Sequence, residues 1–422
     1  MTRLRPATVL LFWLPLAATW LMMAIEGPYI AAIVARMPAA AHSLAAYGVA
    51  TALAWLIESP IMMLLSAGTA LVHGRASYLA LRRFAFALNG LVTAGMLVLA
   101  IPAVFRFVGE TLIGLPPEIA HLAHLATTIM IPWPAAIGYR RFYQGILVKH
   151  HLTRRVAYGT VVRLTTMSAT AAALAFKTSL PGAVIGAIAL LSGVVVEAAA
   201  SRWMAHALVA DLMTRDEEPE TGALLTMRDI ARFYFPLALT SMLSMALGPL
   251  VTFGLGRGRA PIESLAVWPV VQATGFMFRS GGVAFQEVGI ALRDRVVGRT
   301  GLVLGILASV LLALLAFTPA EAFWFQRVSG LSPSLASFAI LPMRILVLLP
   351  FLEYLLSVQR AGWIVARRTG VVTVATAIEG AGLAFMLFAA VGPLSMIGAV
   401  GGAIAMIVGR LAANAYLLFM GR

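Results

Sequence analysis

Long uninterrupted apolar runs limit what this chain can fold into more than any other feature. GLVLGILASVLLALLAF (301–317) carries no charge at all, and comparable stretches recur from one end to the other. A helix needs about 20 mostly apolar residues to cross the hydrocarbon core, because every backbone N–H and C=O must be satisfied inside the segment. On that criterion the sequence predicts twelve spans, near 8–34, 43–71, 84–106, 119–146, 157–176, 181–209, 231–255, 262–291, 299–318, 335–358, 370–391 and 394–420. A transmembrane barrel needs short alternating segments, whereas these runs are continuous and rich in Leu, Ala and Met. Only 11% of residues are charged and 61% are apolar, against roughly a quarter charged in soluble proteins. A water-soluble globule is excluded. The absence of cysteine removes disulfides, thiolate metal sites and thiol nucleophiles.

The net charge of +14 is explained largely by topology. With the N-terminus in the cytoplasm, seventeen Lys and Arg fall on the cytoplasmic side and six on the other: Arg36, Arg106, Lys177, Arg257, Arg259 and Arg327. The positive-inside rule then puts both termini in the cytoplasm, with the first segment read as a signal anchor and the protein in the plasma (bacterial inner) membrane. The basic loops face anionic lipid, so no nucleic-acid partner is implied. Residues 211–229, DLMTRDEEPETGALLTMRD, hold six of the seventeen acidic residues and read as a solvated linker. The expected organisation is an N-terminal six-helix bundle (1–210), a cytoplasmic acidic linker (211–229) and a C-terminal six-helix bundle (230–422).

The halves repeat one another. Shifting the chain by 221 residues lays 12–72 on 233–293 with eighteen identities, including Pro15/Pro236, Gly27/Gly248, Pro28/Pro249, Arg36/Arg257, Ser59/Ser280 and Gly68/Gly289. A weaker echo links IGAIALLSG (185–193) with IGAVGGAIA (397–405). Six spans per half make the repeats parallel, the architecture in which access alternates between two bundles. Pro15, Pro28, Pro236 and Pro249 each remove a backbone hydrogen bond from the first helix of a half, which makes them hinge candidates.

Ionisable residues inside spans are costly unless paired or hydrated. Glu26, Glu58, Arg163, Glu197, Arg279, Glu287, Arg344, Glu353, Glu379 and Arg410 lie well inside; Arg140, Arg141 and Arg202 sit nearer span ends, where they could snorkel. Arg279, Arg344 and Arg163 are the candidate substrate-binding residues, and Glu58, Glu353, Glu379 and Glu26 the candidates for coupling or gating. Glu58 and Arg279 occupy the same repeat position, so they are expected to face each other across a central cleft. Glu379 is expected to partner one of the arginines. NTPase, Ser-His-Asp and HExxH motifs are missing from the sequence, so the chain reads as a secondary transporter rather than an enzyme, with no cofactor or metal assigned.

FYFPLALTSMLSMALGPLV (233–251), LAAYGVATAL (44–53), GILVKH (145–150), LPMRILVLLP (341–350) and AGWIVARR (361–368), in this order and spacing, resemble the progressive ankylosis protein family. That resemblance implies the MATE-like fold of the multidrug/oligosaccharidyl-lipid/polysaccharide flippase superfamily, with two pseudo-symmetric six-helix bundles. It also implies export of small polyanions of the citrate, pyrophosphate and nucleotide class. Arg344 falls where the family also has an arginine; Glu58 and Arg279 stand where it has uncharged residues. The leading expectation is export of a small anionic substrate, with a proton or sodium ion as the coupling ion. The alternatives are a MATE-type organic cation exporter, a flippase for lipid-linked precursors, and, from another class, a non-transporting scaffold or an intramembrane enzyme.

Overall fold

A computed structural model describes residues 5–150, 152–214, 226–292, 295–366 and 368–421. Residues 215–225 of the acidic linker lie outside the described residues, as do the side chains of Pro15 and Pro236. The first half runs α1 (Pro6–Val34), α2 (Ala40–Glu58), α3 (Leu64–Leu71), α4 (Arg75–Ala100), α5 (Pro102–Arg106), α6 (Pro117–Ile129), α7 (Trp133–Lys149), α8 (Thr153–Lys177), α9 (Gly182–Met204) and α10 (His206–Thr214). The second runs α11 (Met227–Arg257), α12 (Pro261–Leu292), α13 (Arg295–Phe317), α14 (Ala320–Ala322), α15 (Pro333–Ile345), α16 (Leu349–Val365), α17 (Thr369–Val391) and α18 (Gly398–Met420). Among the described residues there is no strand, only an isolated bridge between Arg259 and Ile397. The fold is all-α. Among the described residues, eight segments are long and apolar enough to cross a membrane by length and composition, α2–α3 and α15–α16 each counting as one. The other four expected spans fall on α6–α7, α8, α11 and α12, of which α7, α8 and α12 carry arginines of the site described below.

The repeat is geometric as well as textual. Ala39 and Ala260, one 221-residue shift apart, both turn through left-handed backbone, at φ 53° and 50°. From the fourth span onward the offset becomes 216. α6 and α15 each have 13 residues and start on proline, α7 and α16 have 17, and α9 and α18 have 23. Gly114 and Gly330 also correspond at 216, and both have positive φ. The 185–193/397–405 echo implied 212, so the helices correct its register by one turn. Left-handed backbone costs an L-residue about 1–2 kcal/mol, partly offset by the extra chain entropy that glycine loses on folding. Ala39→Gly and Ala260→Gly should therefore each raise stability by roughly 0.5–1 kcal/mol in thermal unfolding; a loss on both would contradict the turn geometry.

Proline shapes the fourth span of each half. Pro134 and Pro350 sit in the first turns of α7 and α16, where a missing N–H is tolerated. The span breaks before them, at 130–132 in one half and through the 3-10 turn Leu346–Leu348 in the other. The Phe351 N–H, near the second break, donates to the Ser309 hydroxyl at 3.0 Å. Such interruptions persist at membrane depth only where protein satisfies the freed groups.

Packing divides the chain differently from a cut at 211–229. One compact unit comprises Met1–Gly48, Leu112–Ile119 and Leu250–Arg422, the other Val49–Thr111 and Ala120–Pro249. α1 thus packs with α12, where the Trp13 indole N–H donates to the Gly281 carbonyl at 2.9 Å. Val9, Phe285, Val288, Val297 and Tyr354 form a buried cluster beneath that contact. In the other unit the Tyr234 hydroxyl of α11 donates to the Pro60 carbonyl at 2.6 Å. Trp13/Tyr234 and Pro60/Gly281 are repeat pairs at 221, so one contact is built twice. The bundles 1–210 and 230–422 describe the repeat, while each repeat's first helix packs on the second helix of the other. α1 and α11 run as helix through Pro15, Pro28, Pro236 and Pro249.

Candidate functional site

In the unit holding α12 and α16–α18, five charged side chains form an alternating chain. Arg279 of α12 lies 3.7 Å from Glu353 of α16. Arg410 of α18 bridges Glu353 at 3.0 Å and Glu379 of α17 at 2.9 Å. Arg360 of α16 lies 3.8 Å from Glu379 and donates to the Thr376 hydroxyl at 3.0 Å. Glu353 and Glu379 are buried, at 6% and 5% exposure. Three cations against two anions leave this cluster one positive charge in excess. Glu353 and Arg360 stand two turns apart on one helix, which aligns them on one face.

The other unit holds a second cluster of the same stoichiometry. Glu197 of α9, fully buried, accepts from Arg140 and, at 3.1 Å, from Gln144, both of α7; Arg163 of α8 stands 3.5 Å away. Glu58, the last residue of α2, accepts a hydrogen bond from the Trp133 indole at the start of α7. Arg141 makes no ion pair within 4.0 Å among the described residues and feels the charges of both Glu58 and Glu197. Again three arginines face two glutamates.

Helix crossings set both clusters. Arg163 is the eleventh residue of α8 and Glu379 the eleventh of α17, so they correspond at 216. At each crossing the partner helix presents glycine. A methyl group at Gly193 would lie 3.0 Å from the Arg163 carbonyl oxygen, and one at Gly409 2.6 Å from that of Glu379. Close backbone approach thus holds a charge of opposite sign at the same place in each half.

The structure brings together Arg279, Glu353 and Glu379, and gathers Arg163 and Glu58 into the second cluster. The expected partnership of Glu379 with an arginine is present. Within their own units Glu58 bonds Trp133 and Arg279 pairs with Glu353. Arg344 stands apart. Its guanidinium donates to both carboxylate oxygens of Glu321 at 3.1 Å and to the Ala316 carbonyl at 2.9 Å, and lies 5.3 Å from the Phe317 ring centroid. Glu26 is half-buried on α1 and acts electrostatically on Tyr47. Glu287 is exposed. Arg140 does not snorkel to a span end, because Glu197 holds it inside. Arg360 and Glu321 were missed from sequence; Arg360 was detectable as the residue seven beyond Glu353.

No family model matches the chain, and no curated protein matches it. Solved structures do. An inward-facing and an outward-facing conformation of a multidrug resistance MATE family transporter of the MOP superfamily each align with a TM-score of 0.69 and 15% identity. They cover 96% and 99% of this chain and 94% and 95% of theirs. The lipid II flippase MurJ in an inward closed conformation aligns with a TM-score of 0.71 and 14% identity over 97% of this chain and 87% of its own. At these identities the likeness shows the fold. The chain has the MATE-like all-α membrane fold shared by these proteins, and the progressive ankylosis likeness rests on the sequence strings.

Proposed function

We propose that this protein is a secondary membrane transporter that exports small organic or phosphate-bearing anions by alternating access. The observation that carries the anionic reading is the excess of one positive charge in each buried cluster. An arginine excess inside a membrane is expensive and is relieved when an anion of the substrate class supplies the missing charge. Arg279, at the end of its chain of ion pairs, and Arg163, beside Arg141, are the substrate-facing candidates. Arg344 is already neutralised by Glu321 and belongs to a second rank. Glu353 and Glu379 are held by arginines, so protonating either would strand a cation. Glu58 bonds a neutral indole and is the better carrier of a coupling proton. Fold relatives captured inward- and outward-facing support alternating access. The arginine-rich ends of the spans favour the plasma membrane of a bacterium with both termini in the cytoplasm.

Purified protein in proteoliposomes, offered labelled citrate, pyrophosphate or ATP against a cationic dye, tests this reading. An anion should move, and Arg279→Gln should slow it about tenfold, as expected for one lost charge-assisted hydrogen bond. Movement of the dye alone, untouched by the arginine substitution, would instead establish a cation exporter.

A further inference from the structure

We infer that the outer face of α7 and α9 is a binding site for one anionic phospholipid from the leaflet at the Arg202 end of the span. A groove of 760 Å³ runs there, lined by Pro132 and Ala135 on one side and Ala199 on the other, with Arg202, Trp203 and His206 at one end. Its volume is that of a small-ligand cleft, roughly 300–1,000 Å³. Small side chains on both helices make the depression, and a wall this apolar suits an acyl chain. The length fits as well. From Val195 to Met204, the end of α9, the helix advances about 14 Å at 1.5 Å per residue, close to half of the ~30 Å hydrocarbon thickness. The groove therefore begins near mid-depth, at the fourth-span break, and ends at one surface.

Charge selects the headgroup. Arg202 is held 5.3 Å from the Tyr143 ring centroid, and its guanidinium has no hydrogen-bond or ion-pair partner among the described residues. His206 is exposed beside it, Trp203 is 79% exposed, and the groove lining holds no carboxylate. Arg155 reaches the same end, donating to the Met204 carbonyl at 2.6 Å. An exposed indole with an arginine that has no hydrogen-bond or ion-pair partner among the described residues, at the close of an apolar groove, matches the headgroup level of a bilayer. Glu197 lies two residues from both Val195 and Ala199, and so on the other side of α9 from these lining residues; a seated tail therefore packs behind the helix that holds Arg140 through Glu197. This site does not depend on what the protein transports.

The test is lipid retention by the full chain, purified in mild detergent, using native mass spectrometry, with thermal melting in mixed micelles of phosphatidylglycerol or phosphatidylcholine. The wild type should retain one phosphatidylglycerol and melt higher with it than with phosphatidylcholine. Arg202→Gln, which leaves the groove intact, should reduce retention about fivefold, the effect of one basic residue at a headgroup, and abolish the melting difference. Ala199→Trp should exclude the lipid. Since that bulkier variant could fail to fold, Arg202→Gln decides. Equal retention of phosphatidylcholine, unchanged retention by Arg202→Gln, or displacement of the lipid by inorganic phosphate alone would each overturn the assignment.

Discussion

Arg410→Ala is expected to destabilise the protein by about 3–5 kcal/mol, the cost of leaving buried charge without its partner, and to abolish transport. Arg410 is the middle of the five-member chain, within 3.0 Å of Glu353 and 2.9 Å of Glu379. Its removal leaves two buried carboxylates between two arginines at 3.7 and 3.8 Å, pairs too long to replace it. The penalty belongs to desolvated, unpaired charge rather than to lost packing, and a second substitution separates the two. Arg410→Met combined with Glu379→Gln removes one charge of each sign and keeps volume, so it should recover most of the stability. Thermal unfolding in detergent is the measurement. A single variant as stable as wild type would mean that the network is hydrated, contrary to the burial of Glu353 and Glu379.

Gly409→Val should be nearly as damaging, for a steric reason. The β-carbon would meet the Glu379 carbonyl oxygen at 2.6 Å and the Leu383 β-carbon at 3.1 Å. Backbone cannot swing aside as a flexible side chain can, so α17 and α18 must separate. Overpacking of this kind costs about 3 kcal/mol and carries Glu379 away from Arg410. Gly193→Val acts at the equivalent crossing but meets the Arg163 carbonyl oxygen at 3.0 Å, so its loss should be smaller. The two variants, compared by thermal unfolding and by flux, should rank in that order. The reverse ranking would contradict the crossing geometry.

The spans and the repeat are legible because hydropathy and paired Gly and Pro residues report them directly. The sequence also marks Arg163, Arg279, Glu353 and Glu379 as costly inside a membrane, and all four lie in the buried clusters. Direction around a helix is not legible. The repeat sets Glu58 and Arg279 at one position, but it does not report their local partners, Trp133 and Glu353. Arg344 reads from the sequence as a substrate-binding candidate, but Glu321, which sits between two spans, neutralises it. Arg360 escaped because the tenth span was ended at 358, while α16 continues to Val365. The exchange of first helices between packing units has no sequence signal of its own. It depends on Trp13 and Tyr234 reaching carbonyls that become available only in the folded second helices.

We propose that the surplus buried arginine charge selects an anion, and the flux ratio of labelled pyrophosphate or citrate to an organic cation reads this out. It should be measured in proteoliposomes with wild type, Arg279→Gln and Glu58→Gln. The ratio should strongly favour the anion and fall in Arg279→Gln, while Glu58→Gln should lose pH-driven accumulation but keep selectivity. A ratio favouring the cation, unchanged in Arg279→Gln and collapsing in Glu58→Gln, would contradict this proposal.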